Sequence, residues 1–202
     1  MARQTRQRIL DASLAMFNTQ GEPNVTTNHI ADELEISPGN LYYHFRNKDD
    51  IIEQLFAVYE QRMDAALVAP SGRLPGLEDV WLQLHLVFEC IWDYRFLYRD
   101  LVDILSRNRR LRMRFARILK RADEQAHTVM RGLVQAGVMR ASADEVDAAS
   151  TNILVIATFW LNYASARGDK DEHEAIRAGS VQVMMLLAPF LRDADALHLN
   201  DI

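Results

Sequence analysis

Cysteine is almost absent from this chain: Cys90 is the single one among 202 residues. No internal disulfide can form and no Cys/His cluster has zinc-site spacing, so a reducing compartment is expected. Proline, with five residues, and glycine, with eight, are scarce, which excludes a collagen-like or loop-dominated polypeptide. Long hydrophobic runs are missing as well. Arg3, Arg6 and Arg8 crowd the first residues, but no apolar stretch with a small-residue cleavage site follows them, and no 18 consecutive apolar residues occur. These absences predict a cytoplasmic protein with no membrane partner. A surplus of positive charge is lacking too, the formal net charge being −5, so bulk attraction to nucleic acid is excluded and any such contact must depend on a local face. With no P-loop, dinucleotide fingerprint, nucleophile elbow or zincin helix, the sequence predicts neither an enzyme nor a cofactor or metal.

What is present is the balance of a globular protein, 49% hydrophobic and 25% charged. Its apolar residues recur at three and four, the spacing of helices, and the glycines and prolines fall mostly between such segments. The chain therefore reads as all-α, with about nine helices. Ile9, Ala12, Ser13, Met16 and Phe17 share a face of the first, which Gly21, Glu22 and Pro23 end. Short helices follow at about 27–34 and 38–45, then a longer one from the N-cap Asn47 to about 68. After a loop at 69–76, further helices are expected at about 77–94, 96–106, 108–136, 143–167 and 171–192, with Gly137 and Gly168 at C-terminal cap positions. Two domains follow from this: 1–50, joined by the helix at about 48–68, and 51–202.

The segment TTNHIADELEISPGNLYYHFRNKDD, from Thr26, has the spacing of a helix-turn-helix. Thr27 is expected to cap the first short helix and to offer its hydroxyl to a phosphate. Ser37 and Pro38 start the second, serine as N-cap and proline where its missing N–H costs nothing. Leu41 and Phe45 face inward. Pro38, Gly39, Asn40 and Tyr43 are left at the end that reaches base edges in a major groove, where Asn40 suits adenine. Tyr42, His44 and Lys48 are placed for phosphates and would fix register. Residues 1–50 carry five Arg/Lys against seven Asp/Glu, so the acids Asp11, Asp32, Glu33, Asp49 and Asp50 should face away from a duplex.

From about Thr5 to Leu55, and most specifically in SPGNLYYHFRNK, the sequence resembles the DNA-binding domain of the TetR family of bacterial transcriptional regulators. The resemblance covers a quarter of the chain. It implies an all-helical N-terminal three-helix domain and a C-terminal bundle that binds a small effector and dimerises. It further implies a homodimer that releases its double-stranded, pseudo-palindromic DNA operator when the effector binds. The turn position the family usually fills with glycine is Glu35 here, and a left-handed non-glycine residue costs on the order of 1 kcal/mol.

In the C-terminal part, Trp81, His85, Phe88 and Trp92 lie on one apolar stripe, and Phe159 and Tyr163 recur on a later helix. Such stripes usually form core, yet His85, Asn152 and Asn162 among large apolar neighbours suggest an effector site lined by some of Trp81, His85, Phe88, Trp92, Phe159 and Tyr163. Residues 107–121 hold eight cations and no acid. They read as a solvated face, a phosphate or anionic-effector contact, or partners of Asp100, Asp103, Asp123 and Glu124. The acidic run Asp169, Asp171, Glu172, His173 and Glu174 reads as a helix's first turn rather than a metal cluster. Ile153, Ile156, Ala157 and Trp160, with Val181, Met184, Met185, Leu187 and Leu191, exceed a single apolar stripe. Ala175, Ala178 and Gly179 would let a partner backbone approach, so a four-helix dimer contact is expected, with ordinary core roles for Met184 and Met185 as the alternative. Two other functions stay open: a DNA-binding adaptor that recruits a protein without any small effector, and a helical acyl-binding enzyme.

Overall fold

A computed structural model describes residues 2–68, 72–168 and 171–192. Ten α-helices carry them: α1 (Ala2–Gln20), α2 (Thr27–Glu33), α3 (Pro38–His44), α4 (Lys48–Ala66), α5 (Leu77–Asp93), α6 (Arg95–Arg99), α7 (Leu101–Arg107), α8 (Arg109–Gln135), α9 (Ala143–Arg167) and α10 (Glu172–Leu187). Short 3₁₀ turns occupy Glu22–Asn24 and Ala188–Phe190. The helix expected at 96–106 is two helices, because the backbone leaves helical geometry at Asp100 (φ −102°, ψ 18°), whose carboxylate accepts the Glu22 N–H. The last helix stops at Leu187, short of Arg192, since Pro189 has no N–H to continue it. Gly137 (φ 76°) and Gly168 (φ 83°) take the left-handed conformation that ends α8 and α9.

Two compact units share the chain: residues 1–62 with 93–114, and residues 63–92 with 115–202. Packing units thus interleave in sequence. In the first unit Phe17, Ile30, Leu41, Ile51 and Phe96 are buried to 1% exposure or less. The Phe17 and Phe96 rings meet at 5.3 Å, and the buried hydroxyls of Tyr59 and Tyr98 share a 2.6 Å hydrogen bond. Pairing these hydroxyls removes the cost of leaving either one unsatisfied in the core.

The second unit packs Val80, Val129, Met130, Leu133, Met139, Val146, Met184 and Leu187 into one cluster. The segment after α10 is tied down where Arg140 N–H donates to Phe190 O and Arg192 N–H to Val138 O, beside an antiparallel bridge between Met139 and Leu191. The start of α9 is set by a capping box in which Ser142 Oγ accepts from Glu145 N–H and the Glu145 carboxylate accepts from Ser142 N–H. The Ser142 N–H, and after it the Ser142 hydroxyl, which also donates to Oε2, hold the Glu145 carboxyl below the usual carboxylate range.

Between α8 and α9, His127 joins two acids: Nδ1 faces Asp123 O at 2.8 Å and Nε2 faces Asp147 Oδ1 at 2.9 Å. The Asp123 carbonyl, helped by Asp147, raises the imidazole above its ordinary value of 6.5. A pKa raised on folding adds stability that is complete below the unfolded value and fades as pH climbs through the folded one. Melting temperature is therefore expected to fall between pH 6 and pH 8 more steeply for the wild type than for His127→Gln.

Candidate nucleic-acid interface

The expected helix-turn-helix is formed by α2 and α3. Thr26, one residue before the expected cap, is the N-cap of α2: its Oγ1 accepts from His29 N–H, and the His29 ring accepts from Thr26 N–H. Sequence reasoning passed over it because His29 stands where a capping box usually has Glu or Gln. Thr27 is thereby corrected from cap to surface group, and its hydroxyl lies 3.0 Å from the Tyr42 hydroxyl. Each hydroxyl retains capacity for another partner, so the pair can meet one phosphate from two helices.

The turn runs through Glu35 at φ 54°, the sole positive φ of a non-glycine residue among those described. The side chain bears the left-handed strain that the sequence comparison with glycine anticipates. Glu35→Gly is expected to gain up to about 1 kcal/mol, the strain relief exceeding glycine's extra unfolded-state entropy, and urea denaturation measures it.

Ser37 caps α3, its Oγ accepting from Asn40 N–H at 3.2 Å, with Pro38 at the first helical position. Leu41 (0% exposed) and Phe45 (3%) anchor the inner face. The opposite face is open: Ser37, Pro38, Gly39, Asn40, Tyr42 and Tyr43 are all exposed, Tyr43 to 80%. A Cβ at Gly39 would meet nothing closer than Ser37 Oγ at 3.9 Å, so packing within the chain does not require glycine there. Glycine in a helix sacrifices about 1 kcal/mol relative to alanine, and close approach by an outside surface is the remaining use for it. His44 is half-buried, edge-on to Tyr43 at 5.1 Å. Arg6 stacks over Phe45 at 4.9 Å, bringing a cation from α1 to the C-terminal end of α3.

Lys48 departs from its expected place. Its Nζ donates to Glu22 O and Val25 O, each at 2.9 Å, and pairs with Glu22 Oε1 at 2.8 Å. Two of its hydrogen bonds thus go to inward carbonyls and its charge faces an inward carboxylate, so Lys48 is corrected from a phosphate contact to an internal brace. Glu22, fully buried, has a second cation in Arg107. Neither role was legible in the sequence, because Arg107 lies 85 residues away.

Most of the basic segment also turns out to be paired. In the first unit Arg110 bonds Glu53 and Arg114 bonds Glu60 while covering Phe56; in the second Arg121 bonds Asp64. Of the four acids considered from sequence, Asp103 meets Arg107 and Glu124 meets Lys120. The principal partners lie on α4, whose acids at 53, 60 and 64 are seven and four residues apart, while the cations at 110, 114 and 121 are four and seven apart, so each set keeps to one helix face.

The six residues expected to line an effector cavity do not converge. Phe88 is buried and Trp81 packs on the second unit's core, with Trp92 half-buried. The His85 side chain is 69% exposed beside Glu89, and Phe159 (45%) and Tyr163 (53%) also face outward, as do Asn152 and Asn162. His85, Phe159 and Tyr163 are therefore corrected to surface positions. Because α5 is apolar on nearly every side, periodicity could not select its inward face. A hollow of about 180 Å³ opens along another side of it, lined by Asp79, Leu82, Gln83, Leu86, Ala65, Ala66, Val68 and Val129. Among the described residues no metal-binding cluster occurs, and no helix is long and apolar enough to cross a membrane. Asp169 and the side chains of Glu172 and His173 lie outside the described residues, as do 69–71 of the expected loop.

Gly179 and Ala175, expected to admit a partner backbone, are filled from within. A Cβ at Gly179 would stand 2.7 Å from both Phe88 Cε1 and Trp160 Cδ1, and the Trp160 indole N–H donates to Ala175 O. Met184 is likewise internal core, fully buried, whereas Met185 is exposed.

Comparison with known proteins agrees with this geometry. Residues 9–55 match the profile described as bacterial regulatory proteins, tetR family, and residues 58–199 match the one described as bacterial transcriptional repressor, TetR. A crystal structure of a TetR-family transcriptional regulator from Marinobacter aquaeolei VT8 superimposes with a TM-score of 0.87 at 39% identity, over 96% of each chain. A transcriptional regulator from Saccharomonospora viridis in complex with choline shares the fold (TM-score 0.70, 19% identity, 90% of this chain and 94% of that one). The HTH-type transcriptional regulator AcrR of Shigella flexneri is 29% identical over 75 residues, 37% of this chain and 35% of its own length. Matches to the curated relatives span about a third to a half of those proteins' length. With the two profiles together covering most of its length, the chain belongs to the TetR family of transcriptional regulators.

Proposed function

We propose that the protein binds double-stranded DNA as a homodimer, reading a pseudo-palindromic operator, and acts as a transcriptional repressor. The observation that carries this reading is the exposed end of α3. Pro38, Gly39, Asn40 and Tyr43 face solvent on a helix whose other side is anchored by Leu41 and Phe45. The backbone at Gly39 admits close approach, Asn40 offers the donor and acceptor pair that adenine requires, and Tyr43 can pack on a thymine methyl. Thr27, Ser37, Tyr42 and His44 surround this end as phosphate contacts that set register. The description of the C-terminal profile as a repressor supports the sign of regulation.

Dimerisation rests on Val155, Phe159 and Tyr163, spaced by four on α9, with Met185 on α10: all four are large apolar or aromatic groups and all are exposed. Association through these helices would remove them from water and place two recognition helices on one duplex. A small, largely apolar effector that releases the operator is the accompanying proposal. It draws on the hollow beside Leu82 and Leu86 for the apolar character, and on the choline complex of the Saccharomonospora relative only for the binding of a small molecule.

Selection of bound fragments from random duplex DNA tests the reading. A two-fold-related motif is expected, with affinity falling steeply as salt rises, because phosphate contacts release counterions. Binding indifferent to salt, or sedimentation as a monomer at micromolar concentration, would overturn it.

A further inference from the structure

Glu22 sits in the 3₁₀ turn joining α1 to α2 and is fully buried. A buried carboxylate is tolerable only when neutralised and hydrogen-bonded. Lys48 supplies one cation on Oε1 at 2.8 Å, and Arg107, the last residue of α7, supplies the other on Oε2 at 2.5 Å. The two differ in what else they do. Lys48 also holds the carbonyls of Glu22 and of Val25, the residue just before the N-cap Thr26. Arg107 makes no backbone contact of that kind with the described residues and is shared among acids, lying 3.4 Å from Asp103 and 3.9 Å from Asp49 as well.

Further bonds tie the same segment to the end of α1. Arg99 donates to Phe17 O and Asn18 O, Asn18 Nδ2 donates to Asp93 O, and Phe96 N–H donates to Asn18 Oδ1. Asp100 accepts the Glu22 N–H at 3.1 Å. Residues 93–107 therefore belong by sequence to the C-terminal segment but pack with the helix-turn-helix unit.

We infer that Arg107 is a positioning residue for DNA binding: by neutralising Glu22 it leaves Lys48 free to grip the Glu22 and Val25 carbonyls, and so sets where α2 begins. Without Arg107, the Lys48 ammonium is the one cation left against the Glu22 carboxylate, while its hydrogen bonds go to two carbonyls. Lys48 is drawn toward the carboxylate, its hold on Val25 O loosens, and the start of α2 moves together with the α3 that packs on it. The inference rests on the DNA-binding reading above.

Three variants test it: Arg107→Met, Arg107→Lys, and the double change Glu22→Gln with Arg107→Met. The readouts are affinity for a duplex that the wild type has selected from random-sequence DNA, and amide hydrogen exchange. Arg107→Met is expected to bind at least about tenfold more weakly, because one buried charge is left half compensated. Exchange is expected to quicken over residues 26–34 while residues 129–133 of the other unit keep their protection. The double variant, with no buried charge to leave unpaired, is expected to recover most of the affinity and protection, and Arg107→Lys to lie between. Unchanged affinity and exchange in Arg107→Met would overturn the inference. So would a loss that the double variant fails to recover, since Arg107 would then be acting directly on DNA or through packing. If Arg107→Met does not fold, recovery in the double variant still decides the matter. A wild type that selects no duplex would refute the DNA-binding reading, and the exchange comparison would continue to test the lock by itself.

Discussion

Gly179→Ala is expected to lower the folding stability of this protein by about 1–3 kcal/mol, the usual cost of forcing a methyl group into a filled core. The added Cβ would lie 2.7 Å from Phe88 Cε1, 2.7 Å from Trp160 Cδ1 and 3.0 Å from Trp160 Nε1. Those rings have little freedom to yield. Phe88 is 3% exposed, and Trp160 is tethered by its indole N–H to Ala175 O on the same helix as the glycine. Turning the indole away would break that bond and leave a polar group unsatisfied. For a chain of this length each kilocalorie corresponds to a fall in melting temperature of about 2–4 °C, so scanning calorimetry should resolve the change. An unaltered melting temperature would mean that Phe88 and Trp160 repack, and that glycine at this position serves something outside the chain.

Asn40→Ala is expected to weaken operator binding by about 1–3 kcal/mol, a loss of roughly ten- to over a hundredfold, while stability changes by no more than about 0.5 kcal/mol. The two effects separate because the parts of Asn40 have separate duties. Its backbone N–H is held by Ser37 Oγ, which any residue could replicate, and its exposed side chain does no work inside the fold. Relaxed preference at one base pair of each half-site should accompany the loss. Fluorescence anisotropy on the selected duplex and on single-base variants would measure both; equal weakening on every sequence would assign Asn40 to the backbone rather than to a base edge.

Much of the recognition unit was legible before any coordinates, because its signals are local. Ser37 followed by Pro38 marks a helix start on chemistry confined to one turn, and Leu41 with Phe45 marks an inner face by spacing alone. Glu35 lies in the three-residue gap between the two short helices, and its φ of 54° is the left-handed conformation that the family resemblance implies for that position. The misassignments share a different character. Thr27 was preferred to Thr26 as cap because both are competent and the choice depends on which residue leaves the helix. Lys48 was sent to a phosphate because nothing near it in sequence says that the Glu22 carboxylate waits beneath it.

In the C-terminal part the balance reverses. Helix positions survived almost unchanged, with Gly137 and Gly168 ending α8 and α9 as their neighbours require. The faces did not survive, since α5 and α9 are apolar on more than one side and periodicity carries no direction when nearly every direction is apolar. Phe159 and Tyr163 were read as cavity lining and stand exposed; Gly179 was read as a place for a partner and is occupied by Phe88 and Trp160.

Sequence alone determined the helical class, the cap of α3, the helix-turn-helix and the side of α3 that meets solvent, because each follows from residues within a few positions of one another. Tertiary structure alone decided which acid meets which cation, from Glu22 with Arg107 to Glu60 with Arg114, and which aromatic rings are core. Those outcomes depend on segments more than fifty residues apart arriving side by side. A charge or an apolar ring specifies the kind of neighbour it requires, and only the packed chain specifies which neighbour it receives.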